Sequence, residues 1–165
     1  MSETPAPQAA RELTRARRAG ARLAAVQALF QMEQTGQGVN AAVRDFLNDR
    51  LGLGDEGQPV EEADPDMFKG IVEGVVEHQS KLDQAISARL AAGWRLDRID
   101  STTRSILRAA SYELAERWDL APAIVVDAYV GIASAFFEEG DETRFVNGVL
   151  DKLAIDLRKG DAARA

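Results

Sequence analysis

Residues 11–30, RELTRARRAGARLAAVQALF, carry two patterns on one rhythm. Arg11, Arg15, Arg18 and Arg22 stand four, three and four residues apart, and Val26 and Leu29 continue the row. Spacings of three and four place side chains on one face of an α-helix. The face is therefore basic in its first half and apolar in its second. The apolar half predicts a helix packed on a core, and the basic half a charged surface continuous with it. Gly20, near the changeover, weakens the helix by about 1 kcal/mol relative to Ala.

The basic stripe is an anomaly in this chain. The net charge is −7, yet residues 1–22 hold five arginines against Glu3 and Glu12. Cations near a helix N-terminus oppose the macrodipole, so the stripe is a poor stabilising device. A solvated helix end is the plain reading. A polyanion site is the better one, because arginine grips phosphates through paired hydrogen bonds and stacks on bases. Composition leaves RNA and DNA open.

The remaining segments read as helices too. Residues 1–8, with Pro5 and Pro7, predict a disordered tail. The first helix then runs over 9–34 and stops before Gly36 and Gly38. A second covers 39–51, with Val39, Val43, Phe46 and Leu47 on one side. The Gly-bearing acidic stretch 52–63 predicts a surface loop. Asp64 followed by Pro65 is an N-cap and a first-turn proline, opening a helix with Phe68, Ile71, Val72, Val75 and Val76. Residues 81–92 add another, ended by Gly93. Asp100, Ser101 and Thr102 offer caps for a helix over 102–118, Pro122 opens one closed by Gly140, and 143–157 form the last. No segment alternates with period two between hairpin signals. The expectation is an all-α single domain of about seven helices, spanning 9–160, with 161–165 frayed.

Little supports enzyme chemistry. His78 is the only histidine and there is no cysteine, so thiolate metal sites, disulfides and most nucleophilic arrangements are excluded. His78 reads as structural or solvated. No phosphate-binding glycine loop is present, and Glu61, Glu62, Asp64 and Asp66 lack an EF-hand spacing. No catalytic residue, cofactor or metal is expected. No apolar run approaches the roughly 20 residues that span a bilayer, and the N-terminus lacks the apolar stretch of a secretory signal. A cytoplasmic location is expected, with no membrane contact.

Two C-terminal segments are more specific. The first is Arg104-Ser105-Ile106-Leu107-Arg108-Ala109-Ala110-Ser111-Tyr112-Glu113-Leu114, followed by Pro122; the second is Phe145-Val146-Asn147-Gly148-Val149-Leu150-Asp151-Lys152. A glycine inside an apolar helix points to close approach of another helix or a ligand, and Asn147 to a buried hydrogen-bonding cap. Tight core packing explains both and is the simpler reading.

With these segments in view, the chain from Arg18 to Lys152 resembles the NusB family of bacterial transcription antitermination factors. FVNGVLDK carries most of the resemblance, ILRAASYEL less, and Ala25-Val26-Gln27-Ala28-Leu29-Phe30 matches the family's first helix. The resemblance implies two packed helical bundles. It implies binding to the boxA element of nascent ribosomal RNA with NusE, a small-subunit ribosomal protein, inside a complex with NusA, NusG and RNA polymerase. It leaves a homodimer open. It places Arg15, Arg17, Arg18 and Arg22 on the RNA backbone, with Phe30, Arg144 and Phe145 on the same surface. Asp141 lies at the edge of the RNA and partner surface, and the partner lies against the helix of Ile106 and Arg108. The family's two glutamates and lysine are absent at Ala128, Gly131 and Ser134. Two rivals are a NusB-like protein-interaction module without RNA binding and a fragment of an RNA cytosine methyltransferase. The second requires a following catalytic domain with cysteines.

Overall fold

Asp64 accepts a hydrogen bond from the Met67 N–H at 3.1 Å, with Pro65 in the first turn behind it. Asp100 accepts from the Thr102 and Thr103 N–H groups at 3.1 and 3.2 Å. These caps satisfy donors that have no partner within the helix, and they start two of the helices where the sequence places them. The computed structural model describes residues 6–49, 63–138 and 140–158. Among these it holds six α-helices and one 3-10 turn, Leu96–Arg98, and no strand. The helices are α1 (Ala6–Thr35), α2 (Val39–Asp49), α3 (Pro65–Ser87), α4 (Ser101–Glu116), α5 (Pro122–Phe137) and α6 (Asp141–Leu157).

The expected seventh helix is a kink. His78, at φ −107° and ψ 15°, breaks the helical geometry inside α3 without ending it. The apolar rows on either side, Ile71, Val72 and Val75 before it and Leu82 and Ile86 after it, stay buried. The expected disordered tail over 1–8 overlaps α1, which takes in Ala6, Pro7 and Gln8, and residues 1–5 lie outside the described residues. Proline is tolerated in a first turn, where its missing N–H has no partner to lose. The early start also removes the dipole argument against the arginines. The first turn carries no charge, and Arg11 lies beyond the reach of the terminal dipole. The acidic loop through residue 62, Glu61 and Glu62, and the C-terminal segment 161–165 lie outside the described residues.

Helices α1, α2 and α3 pack on one another, as do α4, α5 and α6, and α4 joins the two groups by lying against α1 and α3. One continuous apolar core runs through both bundles. Phe46 of α2 stacks on Phe68 of α3 with ring centroids 5.6 Å apart. Burying such a side chain contributes roughly 1.5–3 kcal/mol. Gly20 has a packing reason: a Cβ there would stand 3.0 Å from that of Ala63. The backbone approach is sealed by the Asp64 N–H donating to the Arg17 carbonyl at 3.0 Å. Ala63 is thus buried rather than part of a surface loop.

Arg158 ties the end of α6 to the α4–α5 connection. It donates to the carbonyls of Leu114, Arg117 and Leu120, and its guanidinium lies 4.9 Å from the Trp118 ring centroid. The α4–α5 turn is thereby held to the end of α6, and its Leu120 forms one wall of a groove beside α1.

Candidate nucleic-acid interface

The basic row of α1 divides at Arg22. Arg11 and Arg15 are exposed and Arg18 is half-buried, but Arg22 lies in the interior. Its Nε and Nη2 donate to the two carboxylate oxygens of Glu113 at 2.9 and 3.0 Å. The buried Tyr129 hydroxyl donates to the same carboxylate, and the Arg22 guanidinium lies 6.0 Å from that ring's centroid. Burial works to lower the Arg22 pKa, but the hydrogen bond and charge of Glu113 outweigh it, and the net shift is upward. The side chain is a fixed cation committed to α4. Arg22 therefore does not present itself to an RNA backbone, contrary to the resemblance's assignment, because the row turns inward one step before Val26.

A groove of about 360 Å³ runs between α1 and the start of α5. Arg11, Arg15, Arg18 and Arg22 line it together with Leu120 and Ile124, and no acidic side chain lines it among the described residues. Arg17 does not line it. Two carboxylates act on it from outside the lining: Glu113, paired with Arg22, and Asp119. Asp119 is the more exposed of the two. Its pKa is held down to about 2, first by the hydrogen bond from Arg117, with the charge of Arg18 acting in the same sense.

Further along α1, Phe30 is exposed and lines a second groove of about 470 Å³ with Gln27, Gln34, Thr102 and Phe136. Gln34 donates to the Ser101 hydroxyl at 3.2 Å, closing α1 onto the start of α4. The Thr103 hydroxyl donates to Glu142 at 3.3 Å, closing α4 onto the start of α6. Arg144 and Asp141 sit on that first turn of α6, both exposed and paired with each other. Phe145 is half-buried and stacks on Trp94, with ring centroids 5.4 Å apart.

Arg108 is half-buried in an ion-pair network. It donates twice to Asp83, at 2.9 and 3.0 Å, and reaches Glu33 at 3.5 Å. Arg104 pairs with Glu33 and donates to the carbonyls of Leu96 and Ile99. Burial lowers the Arg104 pKa, and the neighbouring Arg108 charge lowers it further. Ile106, by contrast, is fully buried in the core. It cannot touch a partner lying on α4, which corrects its place on the expected surface. The row Ile106, Ala109, Ala110 and Leu114 is the inner face of that helix.

Asn147 and Gly148 also fall differently from the simpler reading. Thr143, Val146, Val149, Leu150 and Leu153 form the buried row of α6, which turns Asn147 and Gly148 to solvent. Apart from its own neighbours and helix backbone, no described atom lies within 4 Å of where a Gly148 Cβ would stand, so core packing does not account for that glycine. Trp94 is an exposed aromatic outside every expected helix, and Phe136, which the helical period of α5 puts on its apolar row, is exposed as well. Trp94 lies in an irregular segment with no period to expose it. Its only signal was a large aromatic beside Gly93 among polar residues.

Comparison with known proteins fits this geometry. The NusB family model matches residues 19–155. The transcription antitermination protein NusB of Hyphomonas neptunium is 56% identical over 147 residues, covering 89% of this chain and 95% of that relative. The solved NusB of T. maritima is 28% identical, with a TM-score of 0.67 over 83% of this chain and 89% of that one. A structure described as antitermination factors NusB and NusE in complex with dsRNA aligns with a TM-score of 0.70 at 23% identity, covering 85% and 97%, and it shares the fold. The all-helical two-bundle architecture, the arginine-lined first helix and the α6 motif thus stand in a chain that belongs to the NusB family of transcription antitermination proteins.

Proposed function

We propose that the chain binds single-stranded RNA at the boxA element of nascent ribosomal RNA, jointly with NusE, as a non-enzymatic antitermination factor. The observation that carries this reading is the α1–α5 groove. Arg11, Arg15 and Arg18 line it with no carboxylate among the described lining residues, in a chain of net charge −7, and Arg22, paired with Glu113, closes its inner side. Such a groove concentrates phosphates locally while the rest of the surface repels them. Arg11, Arg15 and Arg18 make the phosphate contacts, and Arg17 flanks them. Arg22 holds the stripe to the core. Phe30 supplies a stacking face, as single-stranded RNA recognition requires, and Phe145 supports the same surface through its stack on Trp94. Arg144 and Asp141 sit beside Phe145 at the edge, and Arg108 lies on the face of α4 against which NusE docks. NusA, NusG and RNA polymerase complete the complex, in the cytoplasm. The neighbour described as NusB and NusE in complex with dsRNA supports the pairing of NusE with an RNA, though not the single-stranded form.

The test is fluorescence-anisotropy titration of a boxA RNA and a scrambled RNA, with and without NusE. The reading expects tighter binding to boxA, strengthened by NusE. Equal binding to both RNAs in both conditions overturns it. Binding to NusE without any RNA binding assigns the chain instead to protein interaction alone.

A further inference from the structure

We propose that Trp94 and the groove it walls form a subsite for one unstacked nucleobase. The inference rests on the RNA-binding reading and extends it to a residue outside the arginine stripe. Trp94 is 58% exposed. An exposed indole contributes little to a core, and this one is nonetheless held in place. It stacks on Phe145 at an interplanar angle of 27°, and Phe145 packs against the apolar core. A ring propped in this way offers a flat face with little side-chain entropy left to lose on binding. The opening of about 700 Å³ beside it is walled by Trp94 and by the ends of α1, α3 and α4.

The charge of that opening selects a base over a phosphate. Its walls carry Arg95, Arg104 and Arg108 against Glu33, Asp83 and Asp97. The three guanidiniums are each engaged by those carboxylates: Arg95 with Asp97, Arg104 with Glu33, Arg108 with Asp83. A balanced, internally paired wall attracts no anion in particular, unlike the α1–α5 groove. It does present donors and acceptors side by side at the rim of an aromatic face. That combination suits the edge of a base whose ring lies on the indole. Glu33 lies three residues beyond Phe30 on α1, so a strand that passes Phe30 reaches this opening within one helical turn.

The experiment is RNA titration of the full chain as wild type, Trp94→Ala and Trp94→Phe, at several salt concentrations, with thermal melts as a check on folding. The expected result for Trp94→Ala is about a ten-fold loss of affinity, the size of one base stack. The slope of log affinity against log salt stays unchanged, since no phosphate contact is lost. Trp94→Phe recovers most of the affinity. Tryptophan emission is quenched by RNA in the wild type and much less in Trp94→Ala, which keeps Trp118. If the wild type binds RNA and Trp94→Ala binds equally well, the subsite is overturned and the arginine groove stands. A loss accompanied by a shallower salt slope also overturns it, as does a loss confined to NusE binding, which makes the opening a protein-docking surface. Absence of any RNA binding by the wild type overturns both readings.

Discussion

The Arg22 guanidinium and the Glu113 carboxylate meet face to face in the interior, through two hydrogen bonds of 2.9 and 3.0 Å across 91 residues of sequence. Tyr129 closes the same carboxylate from α5, so one acid locks α1, α4 and α5 together. Removing one partner of a buried pair strands the other charge and costs about 3–5 kcal/mol. Arg22→Ala and Glu113→Ala should each lower the stability of the chain by about that amount in urea unfolding. An Arg22→Ala variant as stable as the wild type contradicts the interior placement.

The arginines that face the groove without an interior partner, the exposed Arg11 and Arg15 and the half-buried Arg18, should behave in the opposite way. Arg11→Ala, Arg15→Ala and Arg18→Ala should each leave stability within about 0.5 kcal/mol of wild type, as surface changes do. Each should reduce the salt slope of RNA binding by about 0.7, the increment for one phosphate on a single strand. Titrations at a series of salt concentrations check this, and a full slope in the triple variant rules the groove out as the phosphate site.

Tyr129 predicts an alkaline limit to stability. Burial raises its pKa well above 10.0, and the charge and hydrogen bond of Glu113 add to the shift. The phenol is therefore protonated in the folded chain at pH values where the unfolded chain ionises. Its contribution is complete below pH 10 and is lost as pH rises above that value towards the folded pKa. Tyr112 shifts in the same direction, again chiefly through burial. In an ultraviolet titration the phenolate signal of Tyr129 should appear only with unfolding, and Tyr129→Phe should reduce the alkaline loss of stability. Two phenolates forming near pH 10 in a chain that stays helical contradict this.

Gly74 of α3 makes room for the Tyr112 ring of α4. A Cβ at that position would overlap the ring of Tyr112. Gly74→Ala should destabilise by about 1–3 kcal/mol, the usual cost of overpacking. Adding Tyr112→Ala should recover part of that loss, since the two changes share one contact. Additive costs in the double variant contradict the packing assignment.

Much of this architecture is legible in local chemistry. Asp64 with Pro65, and Asp100 before α4, are read correctly because a cap acts within one turn of its own residue. The apolar rows of α3, α4 and α6 are legible because burial follows the helical period. Arg22 is not, because its period matches the exposed arginines and only Glu113, distant in sequence, turns it inward. The kink at His78 leaves both flanking rows intact, so two helices were expected in place of one. Of the candidate surface, the stripe and Phe145 were visible from charge and motif. Trp94 was not, because it lies where no periodicity applies and gains its meaning from Phe145 on another element.

The central claim is that α1 carries an RNA site on an acidic protein. The most direct measurement is the affinity of the wild-type chain and of the Arg11→Ala, Arg15→Ala, Arg18→Ala triple variant for boxA RNA in the presence of NusE. The wild type should bind boxA RNA selectively and the triple variant should lose that binding, with both forms still folded and still bound to NusE. Equal affinity of the two for boxA RNA would contradict it.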